Sequence, residues 1–354
     1  NKRLAVSAEY YNEKNREMLM NIKQSVPSTV GTQSAAVNLG EMNSWGWELS
    51  VNWRDKIGKD FKYRIGLNTG YRDNEVLVMD WVTGNSLYRQ ITKGHRTDMG
   101  LWGMQCIGMF RSFQDINEYF DMYMKKEDGS YGTYMGMTKE QVRPGMLIYK
   151  DVRGALQENG TYAGPDHNVD EELDQVQLSN RTNPYGFTIN AGAEWKGISL
   201  TAQFGASWGG YTVVPSAALK PNGSLEYCNM PSFWNPDNMF VYQDIYDGSG
   251  NLLMEANRDA QYPNLAYSNV NAVTSSFWRV SAARVALNRL TLAYTIPSSL
   301  YKKFGINNIR VNVTGQNVLN FYNPYPDKFM NPMAGTYGSY PNLRKWTVGV
   351  NLSF

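Results

Sequence analysis

Gly205-Ala206-Ser207-Trp208-Gly209 has the spacing G-x-S-x-G. In hydrolases that spacing lifts a serine nucleophile onto a sharp strand-to-helix turn, where an imidazole base and a carboxylate must be in reach. Here Ser207 falls on the small, polar side of a regular alternating segment, and the only histidines are His95 and His167. No hydrolase, and no enzyme of another kind, is expected. Asp151, Asp166, Asp170, Glu171, Glu172 and Asp174 crowd into one stretch. Carboxylates at that density can hold Ca²⁺, but the spacing fits no EF-hand loop. The expectation is a solvated acidic loop without a metal, with His95 and His167 as surface residues. Cys106 and Cys228 are too few and too far apart for a disulfide framework or a zinc site. The N-x-S/T triplets at Asn159, Asn180, Asn222, Asn312 and Asn351 carry little information, because asparagine is common here and the last two fall inside expected strands. No cofactor is expected.

The elements that would position these residues are strands. In FKYRIGLNTGY, Phe61, Tyr63, Ile65, Leu67, Thr69 and Tyr71 alternate with Lys62, Arg64, Gly66, Asn68 and Gly70. GWELSVNW and ISLTAQFGASW repeat the pattern, as does the closing WTVGVNLSF. Period-2 alternation is the mark of a strand with two unlike faces. Further strands are read at 2–11, 15–24, 185–196, 277–296 and 308–318, about nine in all. At ~9–12 residues they suit a tilted membrane strand, where ~9–11 residues are needed, better than a globular strand of ~5–6. Of the 354 residues 42% are hydrophobic, and no apolar run is long enough for a spanning helix. A β-barrel escapes that test, since half of each strand is polar. A formal charge of +2 spread along the chain excludes a nucleic-acid footprint.

Three patterns favour a barrel over a sandwich. The polar faces carry Gly, Ser, Thr and Asn with single charges such as Glu48, Arg64 and Glu194, as a wet lumen would. Aromatics, among them Tyr10, Tyr11, Trp47, Trp53, Trp195, Trp208, Trp278 and Trp346, lie near strand ends, where amphipathic rings mark membrane interfaces. Connections alternate short and long: 12–14, 55–60, 196–197 and 297–307 against 25–44, 72–184, 209–276 and 319–344. Outer-membrane barrels have short periplasmic turns and long extracellular loops. If residue 354 ends in the periplasm, nine strands make strand 2–11 run inward, so the chain is expected to be the back part of a larger barrel. The 72–184 segment is too long to be structureless and is expected to fold, with a helix over 112–125.

Several ordered motifs carry a family resemblance. Leu290, Leu292, Tyr294 and Pro297 form L-x-L-x-Y-x-x-P, and Arg310, Val311, Val313, Gly315, Gln316 and Asn317 form R-V-x-V-x-G-Q-N. Tyr340, Pro341, Arg344, Gly349, Asn351 and Phe354 match a closing Y-P-x-x-R-x-x-x-x-G-x-N-x-x-F. LAVSAEYYNEKNREML is similar to a strand–Y-Y-x-K hairpin, and Asn38, Gly40, Gly46 and Glu48 fit N-x-G-x-x-x-x-x-G-x-E. Together these resemble SusC/RagA-type TonB-dependent transporters of Bacteroidota. The run Pro144, Gly145, Tyr149, Lys150, Asp151 also fits, but the regular acidic spacing that follows it in the family is lost, so no metal site is carried over.

The resemblance implies an all-β fold: the C-terminal part, 1–354, of a transmembrane antiparallel barrel of about 22 strands, without the plug. It places the chain in the outer membrane of a Gram-negative cell, among outer-membrane lipid. It implies TonB-dependent import of a large nutrient, a glycan oligomer or peptide. TonB would act through the absent plug, and a SusD-like surface lipoprotein would lie on the extracellular loops 72–184 and 209–276. Trp234, Tyr242 and Tyr246 are the residues expected to grip the substrate. A passive porin and a soluble carbohydrate-binding β-sandwich are the alternatives.

Overall fold

The computed structural model describes residues 2–21, 29, 36–79, 87–89, 91, 93–182, 184–220, 230–332, 337, 340 and 342–354. Cys228, Asn222 and Pro341 lie outside the described residues. Eight long strands form one antiparallel sheet: β1 (Leu4–Asn21), β2 (Ala36–Ile57), β3 (Phe61–Val78), β4 (Tyr185–Trp195), β5 (Ile198–Trp208), β6 (Arg284–Thr295), β7 (Asn308–Tyr322) and β8 (Lys345–Ser353). Their order in the sheet is their order in the chain. The strand ends joined through 22–35, 79–184, 209–283 and 323–344 lie on one side of the sheet, and those joined through 58–60, 196–197 and 296–307 on the other.

Among the described residues the long strands number eight, not nine. Leu4–Asn21 runs as one strand through the two segments read at 2–11 and 15–24, whose residues 22–24 lie outside the described residues, and Asn12–Lys14 is no turn: Asn12, Glu13 and Lys14 pair with Trp45, Ser44 and Asn43. A bulge between Asn15 and Leu19, with Glu17 at φ 54°, shifts the register. An extra residue of this kind bends a strand without ending it. With an even count β1 runs opposite to β8, so the inward sense expected for the first strand is overturned. The segment 277–296 also divides. Arg279–Ser281 pairs with Tyr211–Val213, and β6 begins at Arg284.

Register carries one apolar face across all eight strands. Leu4, Trp53, Ile65, Ala191, Ala202, Leu290, Gly315 and Trp346 are successive cross-strand neighbours. Leu200, Leu292, Val313 and Val348 make a parallel row. A register shift between Leu287 and Arg289 keeps Leu287 and Leu290 on the same face. These side chains face outward, Val348 at 71% exposure and Phe354 at 81%. An apolar surface of that extent on the outside of a sheet is an interaction surface, and strands of this length with a polar opposite face match it to lipid. Two of the aromatics expected at the interface are elsewhere. Trp278 is buried in the loops, and Tyr11 lies over Gly46 on the polar face.

The long connections fold together into a dome. Phe113–Tyr119 is an α-helix capped by Ser112, and it runs into a π-helical turn over Phe120–Met124. Leu101–Met104 pairs with Gln175–Ser179, and Cys106–Met109 with Leu147–Tyr149. Phe110, Phe120, Tyr134, Tyr149 and Leu147 are fully buried, and Val270 and Val273 from the 209–283 connection close that core. A second core packs Phe233, Tyr262 and Trp278 against Phe329 and Tyr325 of the 323–344 connection. Asn271 joins the 79–184 and 209–283 connections. Its Nδ2 donates to the Gly145 and Asn264 carbonyls, and its Oδ1 accepts from the Leu147 N–H at 2.8 Å. Gly145 has φ 93°, and a Cβ there would lie 2.7 Å from Phe240 and Asn264. The Pro-Gly pair of the P-G-x-x-x-Y-K-D run is thus the place where the two connections meet.

Candidate functional site

The site is the polar wall of the sheet and the space beneath the dome. Even-numbered residues of β2 and β3 point to this face. Near the dome Glu9 stands opposite Glu48, and the same row continues through Gly70, Gly186, Ser207 and Arg284. Farther down comes Asn52, Gly66, Asn190, Gln203 and Arg289. Below that lies Arg54, Arg64, Gly192, Thr201 and Thr291. Side chains lie flat where a neighbour has none. Asn52 covers Gly66, Arg64 covers Gly192, and Asn288 covers Gly205, each so closely that a Cβ would come within 2.6–2.8 Å. The wall is therefore polar yet shallow, and leaves volume above it. Cavities of about 610 Å³ and 840 Å³ lie over the Glu48 and Arg64 rows. A third, of about 1060 Å³, reaches under segments 97–100 and 181–186.

Hydrogen bonds knit the wall: Gln203 Nε2 donates to Asn190 Oδ1 at 3.2 Å, Arg310 to Ser199 Oγ at 2.8 Å, and Thr291 and Thr314 share one at 3.0 Å. A charged knot fastens the dome to the sheet. Asp73 of β3 takes Arg181 at 3.3 Å, Arg96 at 3.4 Å and the Tyr71 hydroxyl at 2.7 Å, and Arg181 stacks 4.5 Å over Tyr185. Sequence reading missed this knot, because its members are far apart in the chain and none sits in a motif.

Ser207 does no nucleophilic chemistry. It lies inside β5 and its Oγ donates to the Ala282 carbonyl at 3.3 Å, with no strand-to-helix turn beside it. The acidic stretch differs from the expected solvated loop. Asp174 is fully buried, accepting from the Val152, Arg153 and Asp170 N–H groups. Asp151 is 8% exposed, accepts from the His167 N–H at 2.8 Å, and leaves its other oxygen unpartnered. Burial pushes the Asp151 carboxyl up to about 6, helped by the charges of Asp174 and Asp166. Burial also raises Asp174. These carboxylates serve as acceptors for loop backbone, and no cluster of three or more metal-ligating side chains occurs among the described residues. His167 is half-buried, with Nδ1 2.9 Å from the Tyr123 carbonyl. Burial pushes up the thiol of Cys106, which is free.

The three expected ligand residues fall in different surroundings. Trp234 packs against Phe233 and Trp278 and donates to the Ala218 carbonyl. Tyr242 is held between Phe113 and Arg258. Tyr246 lies on an exposed hairpin, 56% exposed.

No family model matches the chain. Among curated proteins it is 24% identical over 99% of its length to TonB-dependent receptor P3 of Formosa agariphila, and 21% identical over its whole length to receptor P39 of the same organism. Among solved structures it matches the RagAB peptide importer in the closed-closed state with a TM-score of 0.65 at 19% identity, covering 99% of this chain and 34% of that one. The open-open state gives 0.63 at 20% identity. The chain has the fold of part of a TonB-dependent transporter barrel. It spans about a third of the length of the curated relatives it matches, 32% for P3. The relatives are named as receptors or importers, and none as an enzyme. The apolar face of this barrel segment is its lipid face, in the outer membrane, and the Glu48–Arg284 and Arg54–Thr291 rows are its inner wall. A sandwich is excluded, because no second sheet covers the apolar face among the described strands.

Proposed function

We propose that the whole protein imports a large nutrient, a glycan oligomer or peptide, across the outer membrane. TonB drives it through a plug that fills the barrel, and a SusD-like lipoprotein closes over the dome, which is extracellular. The observation that carries this reading is the pairing of a wide, shallow, glycine-floored inner wall with a large folded dome at one end only. A porin needs an open, water-filled channel; the dome, with two packed cores of its own, is built to hold something bulky and to meet a partner. Tyr246 is the expected ligand residue best presented to solvent, and Tyr242 stands beside it in sequence with Arg258 stacked on its ring. Trp234 supports the loop from within its core.

The test is uptake by intact cells. Fluorescent oligopeptide and oligosaccharide pools are offered to wild-type cells, to cells lacking this gene and to cells lacking TonB function. Import of one pool should fall to the same low level in both mutants, and a surface lipoprotein should co-purify with the protein. Uptake that needs the gene but not TonB would make the protein a passive porin.

A further inference from the structure

At the end away from the dome, one link is longer than a tight turn requires. Residues 196–197 suffice between β4 and β5, and 58–60 between β2 and β3, but 296–307 join β6 to β7. The long link is folded, not slack. Ser298–Leu300 and Lys302–Phe304 are single 3₁₀ turns, and Gly305 at φ 73° ends the second. Tyr301 between them is buried and fixes the base, while Leu300 and Phe304 on either side of it are exposed. Lys302 and Lys303 are exposed as well, and the stretch 297–307 contains no carboxylate. Lys303 Nζ stands 5.2 Å from the centre of the Phe304 ring, and Lys196 Nζ stands 5.3 Å from that of Trp195. The two links adjoin, since the Thr295 N–H donates to the Gly197 carbonyl at 2.8 Å. Lys196 has Asp60 at 4.0 Å, with both side chains well exposed. The lipid face ends beside these links, in the cross-strand row Phe61, Trp195, Ile198, Tyr294 and Val311.

We propose that this corner, Trp195, Lys196, Leu300, Lys302, Lys303 and Phe304, is a binding site for anionic phospholipid of the periplasmic leaflet. This rests on reading the dome end as extracellular. The surface continues the lipid face, so its occupant is lipid rather than a soluble partner. Trp195 and Tyr294 sit where amphipathic rings mark the membrane interface, and Leu300 and Phe304 carry apolar area past that row. Lysines on such a border lay their stems on apolar surface and hold their ammonium groups in the headgroup layer. Three of them on two adjoining links, answered by one weakly placed carboxylate, favour a headgroup of net negative charge over a zwitterionic one. A free phosphate ion would meet the lysines but leave Leu300 and Phe304 in water. The longer link thus supplies what a tight turn cannot, two apolar side chains and two cations at the bilayer border.

The test uses the full-length protein, folded into nanodiscs of mixed phosphatidylcholine and phosphatidylglycerol. A photo-crosslinking residue, p-benzoylphenylalanine, replaces Phe304. Irradiation should attach phospholipid at that position, with phosphatidylglycerol over-represented against the bilayer. The captured ratio of phosphatidylglycerol to phosphatidylcholine should fall about tenfold or more in Lys302→Glu/Lys303→Glu, by loss of attraction to the anionic headgroup, and be kept in Lys302→Arg/Lys303→Arg. Where the reversed pair fails to give a folded, heat-modifiable band, Lys302→Gln/Lys303→Gln should still lower the ratio severalfold. Lipid captured in bulk proportions, an unchanged ratio in the charge variants, or capture of polypeptide in place of lipid overturns the proposal. Irradiation in native outer membranes checks the sidedness beneath it, and phospholipid should again be captured. Lipopolysaccharide at Phe304 would overturn the sidedness and the proposal with it, a failure told apart from lost headgroup selectivity by the nanodisc result. Neither readout needs transport, so both stand or fall apart from import itself.

Discussion

Sheet and dome use the same residue types in opposite ways. In the sheet, Val348 and Phe354 are 71% and 81% exposed, and the inner wall is paved with glycine. In the dome, Phe120, Tyr134 and Tyr149 are wholly buried. The dome is an ordinary water-soluble fold, held by apolar burial and satisfied polar groups. The sheet is held by its backbone ladder and by a solvent of lipid, in which every backbone group must find a partner within the sheet. A substitution should therefore be harmful in one region and nearly silent in the other. The sharpest case is Trp278→Ala. It removes a 2%-exposed indole that also donates to the Asn271 carbonyl at 2.6 Å. The expected cost to the dome is about 3–5 kcal/mol, seen as fast hydrogen exchange over 211–283, while the sheet keeps its heat-modifiable migration.

The converse substitution is Leu292→Arg. Leu292 is 51% exposed, and in a soluble protein a charge there would be harmless. On a lipid face it should cost up to about 2–4 kcal/mol, the figure for the membrane midplane, and less towards the rim, measured by urea unfolding in lipid vesicles. Leu253→Arg is the control, because Leu253 is 61% exposed on the dome hairpin. It should change stability by less than about 0.5 kcal/mol. Equal effects at the two sites would break the comparison. Asn271→Ala is next in size. It leaves buried groups of both long connections without partners, worth about 1–3 kcal/mol. Protease sensitivity should rise in both connections together, since Asn271 is their common link.

How much of this was legible follows the same division. The alternation of Phe61–Tyr71 and Ile198–Trp208 placed β3 and β5 because each has one face in lipid and one in a wet lumen. Once β1 leaves the membrane that contrast ends. Asn12-Glu13-Lys14-Asn15 sees water on both sides and reads as a turn, though it pairs with β2 throughout. In the dome the helix near 113–124 was legible from its local sequence. The joins were not. Asn271 to Gly145 and Asp73 to Arg181 are contacts across 126 and 108 positions, and no local pattern marks them. The candidate site was legible in kind, since Glu48, Arg64 and Glu194 fall on the polar face as expected. The opposed Arg54 and Arg64 appear only when the hairpin register is counted.

The comparison also has a pH dependence. Burial is the main reason the Asp151 carboxyl is pushed up to about 6, with Asp174 and Asp166 adding repulsion and the His167 N–H working against them. In the unfolded chain an aspartate releases its proton near 3.9. Between those values the folded dome holds a proton that the unfolded chain has lost, so dome stability falls as pH rises through about 4 to 6 and the loss is complete above it. Asp174 shifts in the same direction through burial, so the two aspartates act together. Protease resistance of the dome should be higher at about pH 5 than at about pH 7, with no matching change in the sheet. Asp151→Asn should flatten most of that slope and raise resistance at the higher pH, because the amide keeps an oxygen for the His167 N–H and carries no charge to bury. A variant that weakens the dome at neutral pH would mean that the charged carboxylate is answered there by a cation, which would reverse the sign of the whole dependence.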